Sequence, residues 1–170
     1  FLKNLKTATD WMNKKINIDI LYDQVKRSPD TTGLHTGMHF CNLLKVSAVE
    51  KVRNYAGHTL LNIFEFLSLG ERNDIAIELI RALEMQNYQF TKYIPDYLGR
   101  LLLYLRPTEL DEIIDDFEEK IKQSNTQIVF LLLKTTGICI EHYSKYKDRF
   151  KEDEKIYEKR LYRLLGILLV

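Results

Sequence analysis

Cysteine and proline are scarce in this chain. Its 170 residues include two cysteines and three prolines. Two cysteines cannot build a disulfide framework, which excludes the class of small secreted domains held together by disulfides. Cys41 and Cys139 both lie in apolar segments, where a free thiol behaves as a small hydrophobic residue. We therefore predict a reducing, cytoplasmic setting.

Long apolar runs and a surplus of one charge are also missing. No stretch approaches the roughly 18 uncharged apolar residues that a membrane-spanning helix needs, and the first residues lack the apolar centre of a signal peptide. Lys plus Arg total 25 and Asp plus Glu total 24, for a net charge of +1. Dedicated nucleic-acid binders usually have a basic excess. We expect no membrane contact, and we do not expect nucleic acid as the partner.

Sequence signatures of catalysis are absent. The chain has no G-x-S-x-G elbow, no phosphate-binding glycine loop and no C-x-x-C pair. His35 and His39 have the i, i+4 spacing of helical metal sites, but Thr36 stands where H-E-x-x-H enzymes have their acid. Cys139 and His142 form a second, i, i+3 pair. We expect helix residues with local partners here, and predict no metal, no cofactor and no enzymatic activity.

Helical periodicity is what the chain has in abundance. Apolar residues between 110 and 121 recur at i, i+3, i+4, i+7 and i+11, with charged residues on the opposite face. Similar segments predict an all-α fold built from helix pairs. The predicted pairs are 2–14 with 17–27, 35–46 with 48–67, 71–86 with 91–105, and 109–123 with 127–146, followed by a single helix over 152–169.

Helix starts and one loop are marked by local signals. Ser47, Ser68, Thr108 and Ser124 are each followed three residues later by an acid or amide, which predicts four N-terminal capping boxes or close variants. Pro29 and the polar residues up to Gly33 predict the clearest loop of the chain, over 28–33.

A weak internal repeat centres on three glycines. Gly57, Gly99 and Gly137 are separated by 42 and 38 residues, and each lies in an apolar segment. A glycine inside a helix costs about 1 kcal/mol relative to alanine, so its recurrence indicates a place where two helices approach closely. A period near forty in a helical chain predicts stacked helix pairs. Coincidental alignment of the glycines is the alternative.

The segment 47–60 carries a family resemblance. Its Val52-Arg53-x-x-Ala56 core after a short polar turn resembles the second helix of a HEAT repeat. The resemblance covers 34–146. It implies a single all-α domain over 1–170, folded as an α-α superhelix (solenoid) of about three to four HEAT-like antiparallel helix pairs. Pro95 and Leu133 replace Arg53 in the later copies, so irregular HEAT- or armadillo-like repeats are expected.

The resemblance also implies a function. HEAT-like arrays are used as interaction or scaffold modules, so we expect a non-catalytic module that is monomeric in isolation. Its partner would be another protein or another domain of the same polypeptide. Arg53, His58, Asp96 and Arg100 fall on matching turns of adjacent repeats and are the predicted partner-binding residues.

One rival function comes from a different class. It is a HEAT-like nucleic-acid-binding domain or an enzyme similar to the alkylpurine DNA glycosylases. Trp11 and the basic segment 145–163 are the only hints of it. A continuous positive groove would favour this rival.

Charge and the chain ends raise two further expectations. Seven acids lie between Glu109 and Glu119, whereas 145–163 has eight basic and five acidic residues. These segments are either solvated outer faces or a charged surface that steers a partner.

The chain opens on Phe1 and closes on an apolar run over 164–170. We expect a piece of a longer polypeptide, with 168–170 covered by a following helix; a terminus docked into its own core is the alternative.

Overall fold

Helices are the only regular secondary structure in the residues described, and short turns connect them. The computed structural model describes 2–85 and 87–169, with side chains from residue 10 onward, and no strand occurs in these ranges. The all-α prediction is therefore confirmed for this part of the chain. The α-helices are α1 (Leu2–Arg27), α2 (Pro29–Val46), α3 (Glu50–Ile63), α4 (Leu69–Leu83), α5 (Tyr88–Thr91), α6 (Ile94–Leu101), α7 (Pro107–Gln123), α8 (Thr126–Glu141), α9 (Tyr146–Phe150) and α10 (Glu154–Leu168).

The first predicted helix pair is wrong. Residues 2–27 form one continuous helix, α1, rather than two. Nothing between residues 14 and 17 breaks a helix, and the Lys15 ammonium bonds the Asp19 carboxylate 3.1 Å away across the expected break. Such an i, i+4 pair supports continuous helix.

The predicted loop over 28–33 is also wrong beyond Ser28. Pro29 is the first residue of α2, a position where proline's missing N–H and fixed φ favour a helix. The Thr32 hydroxyl donates to the Ser28 carbonyl at 2.8 Å. Gly33 is buried against the side chain of Leu67. Turn-forming residues are thus drawn into a helix by its start signal and by packing.

Of the four predicted capping boxes, one is confirmed at its predicted residue. Ser68 accepts from the Glu71 N–H, and Glu71 accepts from the Ser68 N–H. The other three starts are displaced by one or two residues. The residues at the N-caps are Val49 instead of Ser47, Arg106 instead of Thr108, and Asn125 instead of Ser124.

The two helices of each later predicted pair are in contact. α2 contacts α3, α4 contacts α6 and α7 contacts α8, while α10 packs on both α7 and α8. Successive pairs meet through α2 with α4, α3 with α6, and α6 with α8. α3 and α6 each run directly into a 3₁₀ turn, and one follows α8 after His142; the three turns are Phe64–Phe66, Leu102–Tyr104 and Tyr143–Lys145.

Two of the three repeat glycines lie at close helix contacts. A Cβ added to Gly57 would lie 2.5 Å from the Tyr97 ring, and one added to Gly99 would lie 2.7 Å from the Ile138 side chain. A Cβ added to Gly137 meets nothing within 4 Å among the described atoms. The steric explanation therefore holds for the first two copies and is wrong for the third.

The acidic and basic segments bind each other. Arg160 on α10 donates to the Asp111 carboxylate on α7 at 2.8 Å, and Arg163 pairs with Asp115 and Glu118. Arg160 is only 2% exposed and also pairs with Glu152 at 2.6 Å. Arg160 therefore does not belong to a solvated or partner-steering face, whereas the side chains of Asp111, Asp115 and Glu118 remain 45%, 69% and 43% exposed.

None of the described helices combines the length and the apolar character needed to cross a lipid bilayer. At the end of α10, Leu164 and Ile167 are buried, whereas Leu168 and Leu169 are exposed. The expectation about the chain ends also involved Phe1 and Val170, and these two residues lie outside the described residues.

Candidate functional site

One of the four predicted binding residues is buried in the fold. Arg53 is 3% exposed, its guanidinium carbon lies 3.5 Å from the centre of the Tyr93 ring, and it donates to the Ser47 carbonyl at 3.1 Å. The prediction that Arg53 belongs to an exposed binding ridge is therefore wrong. Its side chain connects the end of α2 to the start of α6, which is a structural role.

The other three predicted residues meet in one groove. His58 on α3 and Asp96 and Arg100 on α6 line a depression of about 480 Å³. A second part, of about 350 Å³, continues it, and both parts are lined by His58, Arg100 and His142. We call the whole depression the polar groove; its central polar residues are Asn54, His58, Asp96, Arg100, Glu141 and His142.

The repeat places equivalent residues of α3 and α6 side by side in the polar groove. Asn54 and His58 on α3 correspond, at the interval of the first two glycines, to Asp96 and Arg100 on α6. All four line the groove. His58 directly follows Gly57, and Arg100 directly follows Gly99, so the groove side chains lie next to the points where the helices approach.

Tyr97 forms the floor of the groove between α3 and α6. Its ring packs over Gly57 and meets the His58 ring edge-on at 5.5 Å. Its hydroxyl donates to the Asn54 side-chain oxygen at 2.9 Å. Burial, and then the charge of Asp96, raises the pKa of Tyr97, so the phenol stays neutral and serves as a fixed donor rather than a base.

One end of the groove is basic. Arg100, His142, Lys145 and Arg149 line it together with His58, and no carboxylate is among the lining residues described. We call Arg100, His142, Lys145 and Arg149 the basic end. In the part of the chain that the structure describes, Arg100, Lys145 and Arg149 form no ion pair with a carboxylate.

Arg149 is held in place by its neighbours. It donates to the Leu103 carbonyl, and its guanidinium carbon lies 4.0 Å from the centre of the Tyr104 ring. Arg72 approaches the same ring at 5.8 Å and donates to the Tyr104 carbonyl at 3.1 Å. Burial, and then the charge of Arg149, lowers the pKa of Arg72. The guanidinium groups of Arg72 and of Arg149, which belongs to the basic end, thus both lie close to the Tyr104 ring.

The opposite end of the groove has carboxylates. Asp96 and Glu141 line it, and Asp96 lies 3.6 Å from the Lys134 ammonium in a half-exposed ion pair. Glu141 is exposed. The polar groove is therefore electrostatically asymmetric along its length.

Sequence reasoning missed three residues of the basic end. His142 was considered only as a metal ligand, and Lys145 and Arg149 only as part of a basic segment. His142 lies between α8 and the third 3₁₀ turn, Lys145 ends that turn, and Arg149 lies on α9. The spacing Ile138, His142, Lys145 and Arg149, at i, i+4, i+7 and i+11, is the signal that would have placed them on one face.

The remaining candidate residues lie elsewhere. His35 and His39 are exposed on α2, and no group of three or more His, Cys, Asp or Glu residues able to hold a metal occurs in the described ranges. Cys41 and Cys139 are buried free thiols, and burial raises the pKa of each to about 12. Trp11 packs edge-on against Tyr55.

The chain matches no protein-family model, no curated protein and no solved structure. The resemblance to HEAT repeats therefore depends on the residues quoted from the sequence, and the repeat family enters below as a proposal.

Proposed function

We propose that this chain is a non-catalytic interaction or scaffold module whose polar groove binds a segment of another protein or of another domain of the same polypeptide. The observation that carries the proposal is the groove itself. It crosses α3, α6 and α8, the three helices that carry the aligned glycines, and most of its polar lining side chains are exposed or half-exposed. Such a surface suits an extended partner more than a small enclosed substrate, because an enclosed substrate needs a pocket that excludes water.

A HEAT-like α-α superhelix is the architecture that we propose for the stack. Support comes from the contacts between successive pairs and from the 3₁₀ turns that recur about every forty residues. In repeat proteins each pair contacts its neighbours and the stack offers a long continuous binding surface. The two buried free thiols agree with a reducing, cytoplasmic location, which stays a prediction.

The glycosylase-like rival loses one hint and keeps part of the other. Trp11 packs on Tyr55 rather than lining the groove, and Arg160 and Arg163 of the basic segment are paired with carboxylates of the same chain. Lys145 and Arg149 of that segment do line the groove, but Asp96 and Glu141 interrupt the continuous positive charge that the rival requires. The groove also contains no enclosed aromatic slot among its lining residues. An interaction module remains the function that these contacts favour.

Site-specific photocrosslinking tests the proposal. A benzophenone amino acid replaces His58 in the groove or, as a control, Gln127, which is exposed on α8. The full chain is irradiated in extract of its source cells. We expect a discrete protein adduct from position 58 that position 127 does not form and that Arg100→Glu weakens. Equal adducts at both positions, adducts with nucleic acid, or turnover of a DNA or ester substrate by the purified chain would contradict the proposal.

A further inference from the structure

We infer that the polar groove recognises an acidic segment of its partner, with carboxylate or phosphate groups bound at the basic end. This inference rests on the proposed function and specifies the partner's chemistry. Arg100, Lys145 and Arg149 bring three permanent positive charges to the wall of one cavity, with His58 and His142 as additional donors. In a protein whose net charge is only +1, such a concentration is a local feature and not a property of the whole surface.

The positive charges at the basic end are not neutralised within the described chain. The arginines that serve the fold, Arg160 and Arg163, each pair with two carboxylates. The hydrogen bonds of Arg100 and Arg149, by contrast, go to backbone carbonyls of Asp96 and Leu103. A carbonyl orients a guanidinium without cancelling its charge, so these donors are pre-positioned and their charge stays available to an anion.

The Arg72–Tyr104–Arg149 cluster adds to this field. Two guanidinium groups near one ring repel each other, and the lowered pKa of Arg72 reflects burial first and that repulsion second. A bound anion beside Arg149 would relieve the repulsion. Arginine also matches carboxylate and phosphate oxygens with two parallel N–H donors.

The asymmetry of the groove favours an acidic polypeptide over nucleic acid. Nucleic acid has closely and evenly spaced backbone charges, so its strand would have to continue past Asp96 and Glu141 at the other end. A polypeptide can place acidic side chains at the basic end and neutral or basic ones near Asp96 and Glu141. The arrangement therefore also sets the direction in which the segment lies.

Fluorescence anisotropy with labelled peptides tests the inference. The probes are an oligoglutamate peptide, a phosphoserine-rich peptide, a neutral oligoglutamine peptide and a single-stranded oligonucleotide. The test variant is Arg100→Glu with Lys145→Glu. The matched control is Arg81→Glu with Lys51→Glu, which makes the same charge change at two exposed residues outside the groove. Circular dichroism confirms that each variant is folded.

The expected result is binding of the acidic peptides and not of the neutral one. The groove double variant should weaken binding by about tenfold or more, about 1.4 kcal/mol or more by the affinity relation, and the control should leave it nearly unchanged. Preference between glutamate and phosphoserine identifies the source of the anion.

Three results would overturn the inference. They are equal affinity for the acidic and neutral peptides, equal losses in both double variants, and tighter binding of the oligonucleotide at the same salt concentration. A crosslinked partner whose bound segment is neutral would also overturn it while leaving the proposed function intact. Failure of both the peptide binding and the crosslinking would remove the proposed function as well.

Discussion

Glycine has different roles at the three positions that the repeat aligns. At Gly57 the neighbour is the flat ring of Tyr97, and at Gly99 it is the Ile138 side chain together with the Thr135 carbonyl oxygen, 2.8 Å from an added Cβ. A backbone oxygen cannot move aside as a flexible side chain can. Gly137 faces open space, so only its backbone entropy distinguishes it from alanine.

We therefore predict opposite signs for alanine substitutions. Gly57→Ala and Gly99→Ala should lower the free energy of unfolding by about 1–3 kcal/mol through overpacking. Gly137→Ala should raise it by up to about 1 kcal/mol, because alanine favours the helix and nothing obstructs its methyl group. Urea denaturation of the three variants measures this. A loss at Gly137 as large as at Gly99 would contradict the assignment.

Arg53 and Arg100 were both predicted to bind a partner, but the structure places them in different environments. Arg53 is buried, stacks on Tyr93 and donates to the Ser47 carbonyl, whereas Arg100 is half-exposed in the groove. Removal of a buried donor leaves its acceptor unsatisfied, which costs about 1–3 kcal/mol, and the lost cation–π contact adds to that.

We predict that Arg53→Met destabilises the fold by about 1–3 kcal/mol and that Arg100→Met changes stability by less than about 0.5 kcal/mol, as most surface substitutions do. Thermal unfolding followed by circular dichroism makes the comparison. Because methionine replaces arginine in both variants, any effect of the apolar side chain itself is common to the two measurements. Equal destabilisation by both variants would make Arg100 structural as well.

At the scale of elements, the contact of α7 with α10 depends on one buried arginine. Arg160 joins Asp111 on α7, Glu152 before α10 and the Tyr143 hydroxyl, which it reaches at 3.1 Å. The Glu152 side chain is only 5% exposed. Loss of Arg160 would leave that carboxylate buried without its cation. The nearby Arg163 pairs are much more exposed, and solvent screens them.

We predict that Arg160→Met lowers the free energy of unfolding by about 3–5 kcal/mol, the usual cost of breaking a buried ion pair on one side. Arg163→Met should cost no more than about 1 kcal/mol. Chemical denaturation of both variants measures the difference, and adding Glu152→Gln to Arg160→Met should recover part of the loss. If the two arginines prove equivalent, burial does not determine the strength of this contact.

At the scale of the whole molecule, one core connects the helices. Its buried side chains run from Ile18 on α1 to Ile167 on α10 without a break into separate clusters. Cys41 on α2 and Cys139 on α8 lie in different parts of that core and are fully buried. Alkylation of the two thiols therefore shows whether these two parts of the core unfold together.

We predict that both thiols resist alkylation in the folded protein at pH 8, because burial raises the pKa of each to about 12 and leaves almost no thiolate. Reactivity should rise as pH approaches that value or when the chain unfolds. If 1–170 is one cooperative domain, Cys41 and Cys139 should become reactive at the same urea concentration. Single Cys→Ala variants assign each signal, and two separate midpoints would show independent units.

Several parts of this fold could be predicted locally, and others could not. Helix type and the Ser68 capping box follow from periodicity and nearest-neighbour hydrogen bonds, which need only a few consecutive residues. The break expected inside α1 was wrong because no residue there opposes a helix, and the Lys15–Asp19 pair supports one. The loop expected over 28–33 was wrong because turn-forming residues are compatible with a helix when its start signal and packing favour it. Of the site, His58, Asp96 and Arg100 were found by the repeat, because equivalent residues on stacked helices share a face.

The sequence by itself determined that this chain is helical. Its weak repeat predicted close contacts at Gly57 and Gly99, and it made the same prediction wrongly at Gly137. Only the tertiary structure decided which charges remain available. Arg53 and Arg160 became internal because a ring and two carboxylates from distant segments surround them. Arg100, Lys145 and Arg149 line the groove, and the side-chain hydrogen bonds of Arg100 and Arg149 go to backbone carbonyls rather than to carboxylates. The physical reason is that charge pairing depends on distances between segments far apart in the chain, and composition does not contain those distances.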